Sequence, residues 1–209
     1  MSAWLDDVAS EVLRRKQSPG LNLLSEEGLS LRPVTVPAAA GDVASMVEWR
    51  NLHPRAFFTW FEAREEATQR WLEETYSQAP LDLMVMLINQ HTGQAWGHLA
   101  LSAFNDQDRS CELGRVLRGV SASSPGGMRR AINALLAWAN REMGLERVHL
   151  EVFESNARAI ACYRDCGFQL TERWPLTATQ EGANTRWQRA ESSAEAEYSA
   201  VTMSRTLSG

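Results

Sequence analysis

Apolar and polar residues recur along this chain in segments short enough to assign one at a time. Residues 1–28 carry Trp4, Val8, Val12 and Leu13 at helical spacing and close at Pro19-Gly20, which predicts a helical extension before the first strand. Residues 29–36 alternate, with Leu29, Leu31 and Val34 against Ser30 and Arg32, as a half-buried strand does. Val43, Met46 and Val47 then mark one face of a helix over 42–49, and 65–76 read as a second helix with Trp71 and Leu72 inward. A strongly apolar strand over 81–89, a turn at His91-Thr92-Gly93 and a strand over 95–104 form a hairpin, and 110–117 adds another strand. Met128, Ala131, Ile132, Leu135, Leu136, Ala139 and Met143 step along one face of a long helix over 126–143, and Gly144 suits its C-terminal end. A strand over 147–153, a short helix, a strand from 169 and a last strand over 198–203 complete the chain. The polar stretch 180–196 predicts a loop.

The order is strand, two helices, three strands, helix, strand, helix, strands. It predicts an α/β (α+β) domain whose hairpin-rich sheet is crossed by helices. With 209 residues the chain can bury one good core, and no internal repeat divides it. A formal net charge of −5 argues against a nucleic-acid partner, which needs a basic face. No apolar run approaches the roughly 18 residues of a membrane span. The first residues, Met-Ser-Ala-Trp-Leu-Asp-Asp, lack a basic segment followed by an apolar core. Together with only three cysteines, these features predict a cytoplasmic protein. Cys162 and Cys166 lie one turn apart and read as small packing residues. The four histidines are too scattered to suggest a metal.

The most informative stretch is 150–168. Leu150, Val152 and Phe153 make an interior strand, Ser155 or Asn156 caps a helix, and Gly167 ends it. Asn156, Ile160 and Tyr163 share one helical face, so an amide and a phenol sit together near a strand end. Asn156, Ala159, Tyr163, Gly167 and Phe168, in that spacing, resemble the closing motif of the GNAT superfamily of acetyl-coenzyme A dependent N-acetyltransferases. The resemblance runs from about residue 29 to 173, with a weaker match in the tail. It implies a mixed, mostly antiparallel sheet splayed between its fourth and fifth strands and flanked by helices. Residues 1–28 would be a helical extension and 29–209 the transferase domain. Asn156 would help hold coenzyme A, and Tyr163 would protonate the departing thiolate. Read from the residues alone, the pair is a capping Asn and a buried Tyr.

Coenzyme A carries a pyrophosphate, which suits backbone N–H groups at a helix N-terminus. The loop Ser123-Ser124-Pro125-Gly126-Gly127-Met128-Arg129-Arg130 opens the long helix, and Arg129 or Arg130 can add charge-assisted contacts. The family's usual Arg/Gln-x-x-Gly-x-Gly/Ala is altered here, so the loop is assigned as a unit: Ser124, Gly126, Gly127, Met128 and Arg129. The splayed strand would offer backbone around Val116, Leu117 and Arg118 to the pantetheine arm and the thioester carbonyl, and Gly114 fits a bulge or a close ligand approach. Glu112 reads either as the base for the acceptor amine or as an ion-pair partner.

For the acceptor, Glu48-Trp49-Arg50-Asn51 resembles relatives that acetylate nucleotide-linked amino sugars, and also the branch that acetylates protein N-termini. Arg50, Phe58 and His98 are the candidate acceptor contacts. Phe57, Phe58, Trp60 and Phe61 form either an apolar wall or core. A small-molecule amine, first an amino sugar, is the expected acceptor; a protein N-terminus is the alternative, and a degenerate acyl-coenzyme A sensor is the non-enzyme reading. A homodimer is compatible with all three.

Overall fold

The computed structural model describes residues 2–19, 22–26, 28–119, 126–191 and 196–207. Its elements are α1 (Ala3–Lys16), β1 (Leu24–Glu26), β2 (Leu29–Pro33), α2 (Asp42–Leu52), β3 (Thr59–Trp60), α3 (Glu65–Trp71), β4 (Leu83–Ile88), β5 (Ala95–Asn105), β6 (Ser110–Arg118), α4 (Gly127–Met143), β7 (Arg147–Phe153), α5 (Ala157–Asp165), β8 (Gln169–Glu181), β9 (Asn184–Arg189) and β10 (Tyr198–Thr206). All strands join one sheet in the order β1-β2-β4-β5-β6-β7-β10-β8-β9-β3. Among the described strands, β6 and β7 make the one parallel pair.

The periodicities explain the layers. Leu135, Leu136, Ile132 and Ala139 of α4 are fully buried against Leu99, Leu101, Val148 and Leu150 of the sheet. Met46 and Trp49 of α2, and Leu72 and Tyr76 just beyond α3, cover Met84, Met86 and Ala100 in a second core. Leu72–Tyr76 forms a π-helical turn that continues α3. A third, aromatic cluster joins Phe153, Trp174 and Trp187, with Phe58 and Trp60 packed on it. The sheet between the second and third cores keeps polar residues on that face.

The structure adds three strands to the sequence expectation: β1 (Leu24–Glu26), inside the stretch read as a helical extension, β3 (Thr59–Trp60) and β9 (Asn184–Arg189). The stretch read as a loop over 180–196 is largely a hairpin: β8 runs to Glu181, turns at Gly182, and β9 returns from Asn184. Its sequence looks loop-like because one anchor, Trp187, fastens it to the aromatic core while its neighbours face water. The extension also docks closely: Val8 and Val12 are buried in the main core, and the Trp4 indole donates to the Met143 carbonyl at 2.6 Å. At its other end the buried Lys16 ammonium donates to the Tyr76 and Ala79 carbonyls, both at 2.6 Å, and sits 3.7 Å over the Tyr76 ring.

This docking gives a stability test of α1. Val12→Ala is expected to lower unfolding free energy by about 2 kcal/mol, from lost burial plus a cavity. Ser10→Ala, on the exposed face, is expected to change it by less than about 0.5 kcal/mol. Equal, negligible effects in chemical denaturation would show that α1 does not contribute to the core.

Candidate active site

The site begins where β6 and β7 part. Their pairing runs from Ser110–Arg147 to Glu112–His149 and stops, although β6 continues to Arg118 and β7 to Phe153. On the other side of β6 a bulge shifts the register with β5 between Gly114–Ala100 and Leu117–His98. The bulged residue is Arg115, with φ 49°, rather than Gly114. A left-handed non-glycine costs on the order of 1 kcal/mol. It is offset by a bidentate pair from the Arg115 guanidinium to Asp82, both bonds 2.6 Å. The Arg115 carbonyl accepts from His98 Nδ1 at 2.7 Å, which fixes the ring's tautomer because a carbonyl can only accept. Burial pushes His98 down to about 4, so it is neutral near pH 7.

The splay opens a cleft of about 1000 Å³. One wall is the unpaired edge of β6, including Val116, Leu117 and Arg118. The opposite wall is α5, with Asn156, Ala159 and Tyr163, and Gly126, Gly127, Met128 and Arg129 close one end. Gly126 caps α4 with φ 75°, so the first N–H groups of a 17-residue helix open toward the cleft. Arg118, Arg129 and Arg158 bring positive charge to the same space. Ser124, Ser123 and Pro125 lie outside the described residues. Gly119 is required where it stands: a Cβ there would fall 2.2 Å from the Trp49 ring.

Asn156 takes both roles open to it in the sequence, capping α5 through Oδ1 (Ala159 N–H at 3.2 Å) while lining the cleft. Tyr163 is 7 % exposed, and burial pushes its phenol above the ordinary range. Among the described residues its hydroxyl has no hydrogen-bond partner, although it faces the cleft. Glu112 is half-buried on β6 and does not line the cleft, but its carboxylate leans along the strand over Gly114, which does. A Cβ at Gly114 would sit 3.3 Å from Glu112 Oε1.

The three acceptor contacts expected from sequence lie elsewhere. His98 is 4 % exposed, stacks on Trp49 at 6.1 Å and supports the bulge from inside. Phe58 packs on Phe153 at 4.7 Å and Trp174 at 5.9 Å, within the aromatic core. Arg50 donates to the Thr59 carbonyl at 2.6 Å and stacks 3.7 Å over Phe57, so it orders a cleft residue without lining the cleft. Each of these residue types also suits a packing role, and only the fold distinguishes the two. The run around Trp49 is likewise structural, since Asn51 exchanges hydrogen bonds with the Ala63 backbone at 3.0 and 2.8 Å.

Sequence reading missed Glu151. It alternates with His149 and Phe153 against the buried Val148, Leu150 and Val152, a pattern that already placed it on the face away from α4. It lines the cleft, and its carboxyl is pushed up, first by partial burial and then by Glu112. Thr202 of β10 lies beside Glu151, and Glu172 of β8 lies beyond Thr202. Among the described residues no group of three or more His, Cys, Asp or Glu is arranged to hold a metal, and no helix is long and apolar enough to cross a membrane.

A mixed sheet thus opens beside a helix N-terminus and a buried phenol. The chain belongs to the acetyltransferase (GNAT) domain family, whose model matches residues 29–169. No curated protein matches it significantly. Among solved structures, it is similar to spermidine N-acetyltransferase from Vibrio cholerae in complex with CoA and spermine, at 17 % identity over 87 % of this chain and 96 % of that one, TM-score 0.64. Ribosomal-protein-S5-alanine acetyltransferase from Vibrio fischeri matches at 14 % identity over 89 % and 96 %, TM-score 0.66. A probable GNAT-family acetyltransferase from Chromobacterium violaceum matches at 19 % over 91 % and 93 %, TM-score 0.65. At such identities these structures share the fold with this chain.

Asp82→Ala removes both partners of the bulge arginine. It is expected to cost about 1–3 kcal/mol of stability. Because the bulge shapes the cleft wall, kcat/KM for acetyl transfer is expected to fall more than the stability loss explains at a temperature where the variant stays folded. Unchanged turnover in the folded variant would separate the bulge from the chemistry.

Proposed function

We propose that this acetyltransferase moves an acetyl group from acetyl-coenzyme A to the primary amine of a small cationic acceptor, by direct attack with both substrates bound. The observation that carries the reading is the cleft itself: splayed strands, the α4 N-terminus with its arginines, and an unpaired buried phenol share one space. The α4 N–H groups with Arg118, Arg129 and Arg158 suit the phosphates, and Asn156 with the free β6 edge suits the pantetheine arm. Bound acetyl-coenzyme A supplies the acetyl group as an activated thioester. In this reading backbone N–H groups of Val116–Arg118 polarise its carbonyl and Tyr163 gives a proton to the departing sulfur, which their common lining of the cleft supports. The amine proton has Glu151 as its nearest carboxylate sink on the cleft, with Glu112 behind it. In this reading residues 29–209 are the transferase domain and residues 1–28 an extension packed on it.

The cationic acceptor is favoured over the nucleotide-linked sugar by charge. Glu151, pushed up by burial and then by Glu112, would repel a pyrophosphate and attract an ammonium, while Glu172 beyond it is ion-paired with Arg189 at 2.6 Å. A polyamine such as the spermine bound by one structural neighbour fits that field, and so does an alanine amine of the kind the ribosomal-protein-S5-alanine acetyltransferase is named for.

Thermal unfolding tests the cofactor first. Acetyl-coenzyme A at about 100 times its dissociation constant is expected to add roughly 2.7 kcal/mol, and NADH nothing comparable. Tyr163→Phe is expected to keep that shift while losing roughly 10- to 1000-fold in kcat, read by thiol release with spermidine and with an alanine-initiated peptide. A fully active Tyr163→Phe would remove the acid assignment, and absence of any shift would remove the cofactor.

Glu151→Gln is expected to lower kcat/KM for a cationic amine by roughly 10-fold or more, through lost attraction and a lost base. Glu112→Gln is expected to cost less. The reverse ranking would move the base to Glu112.

A further inference from the structure

Besides the groups used above, the cleft contains a thiol. Cys162 is half-buried on α5, directly before Tyr163, and lines the same space. It is the one cysteine that does so; Cys111 and Cys166 are buried. Cys166 lies one turn further along, its Sγ 3.9 Å from the carbonyl oxygen of Arg129, the third residue of α4. The cysteines therefore sit where α5 meets the opening turn of α4, with Arg129 and Arg158 acting on Cys162 and with Arg129 and Arg205 beside Cys166. The neighbouring Tyr163, more than nine-tenths buried with an unspent hydroxyl, independently marks this cleft as built for a ligand.

We propose that Cys162 is a thiol-modification site of the cofactor cleft: a small anionic disulfide reacts there, the adduct blocks the cleft, and bound acetyl-coenzyme A protects the thiol. The inference rests on acetyl-coenzyme A filling this cleft. The Cys162 sulfur attacks one sulfur of the disulfide, forming Cys162–S–S–R. The Cys162 proton goes to solvent before the attack, and the other half leaves as R–S⁻ with the electron pair of the broken bond, so no further oxidant is needed. Three features favour the reaction. The Cys162 thiol is pulled down to about 7, first by the hydrogen bond from Cys166 and then by Arg129 and Arg158, against burial and the Asp165 charge. Cys166 is pushed the other way, first by that same hydrogen bond and then by burial, which leaves it the less reactive of the two. The flanking arginines also attract an anionic reagent. An adduct of several heavy atoms at Cys162 occupies space beside Arg129, where the proposed phosphate contacts are made.

The test uses the full chain and dithiobis(nitrobenzoate), which releases one coloured thiolate per thiol modified. The native protein is expected to show one fast-reacting thiol, located at Cys162 by peptide mass, and Cys162→Ser to lack it. Saturating acetyl-coenzyme A, a thioester with no free thiol of its own, is expected to slow that reaction roughly 10-fold or more, in step with the small unliganded fraction. The modified protein is expected to lose its acetyl-coenzyme A thermal shift, and dithiothreitol to restore it. A fast thiol that persists in Cys162→Ser would overturn the assignment. So would an unprotected Cys162 in protein whose midpoint acetyl-coenzyme A demonstrably raises. With no midpoint shift at all, the cofactor reading itself fails and takes the protection with it, so the two failures are distinguishable.

Discussion

The bidentate pair between Arg115 and Asp82 is the constraint on which this architecture turns. A strand paired on both edges has no backbone left for a ligand. Here β6 is freed on one edge because β7 diverges after Glu112–His149, and it is bent on the other by a residue in left-handed conformation. That conformation is locally unfavourable for arginine, so it persists only where the surroundings impose it. Asp82 holds the side chain and His98 holds the carbonyl. Tyr76, whose hydroxyl bridges the Val34 carbonyl and the Met84 amide, sits in the same second core, and Lys16 caps the Tyr76 ring and carbonyl. The N-terminal helix thereby reaches by direct contact to the core that underlies the bulge, although it precedes the region matched by the family model.

Electrostatics divides the cleft into two ends. Toward α4 there are helix N–H groups and arginines, a field suited to phosphates. Toward β7 there is Glu151 with Glu112 behind it, while Glu172 beyond them is ion-paired with Arg189. Tyr163 stands between the helix wall and the strands with its proton retained by burial. Cys162 lies at the phosphate end, which explains why a feature that reads as packing from sequence has a chemical environment of its own.

Part of the cleft's lining was legible in the chain because it is local. Asn156 and Tyr163 belong to one short helix, and their spacing fixes their common face whatever packs above them. Gly126-Gly127 before an amphipathic helix marks an open N-terminus in the same way. The acceptor contacts were not legible. Arg50, Phe58 and His98 are residue types equally at home in a core or in a pocket, and here the core claims Phe58 and His98 while Arg50 braces Phe57. Glu151 was readable from strand alternation, yet its importance depends on β6 turning away from it.

The sequence by itself determined the order of the helices and of the long strands, the buried faces of α4 and α5, and the shared face of Asn156 and Tyr163, because each rests on contacts within a few residues along the chain. Tertiary structure alone decided the bulge at Arg115 rather than Gly114, the return of the chain along β9 (Asn184–Arg189) where a loop was expected, and the meeting of Glu151 with the cleft. Those features join strands distant in sequence, and their energies come from pairing and burial that no local pattern encodes.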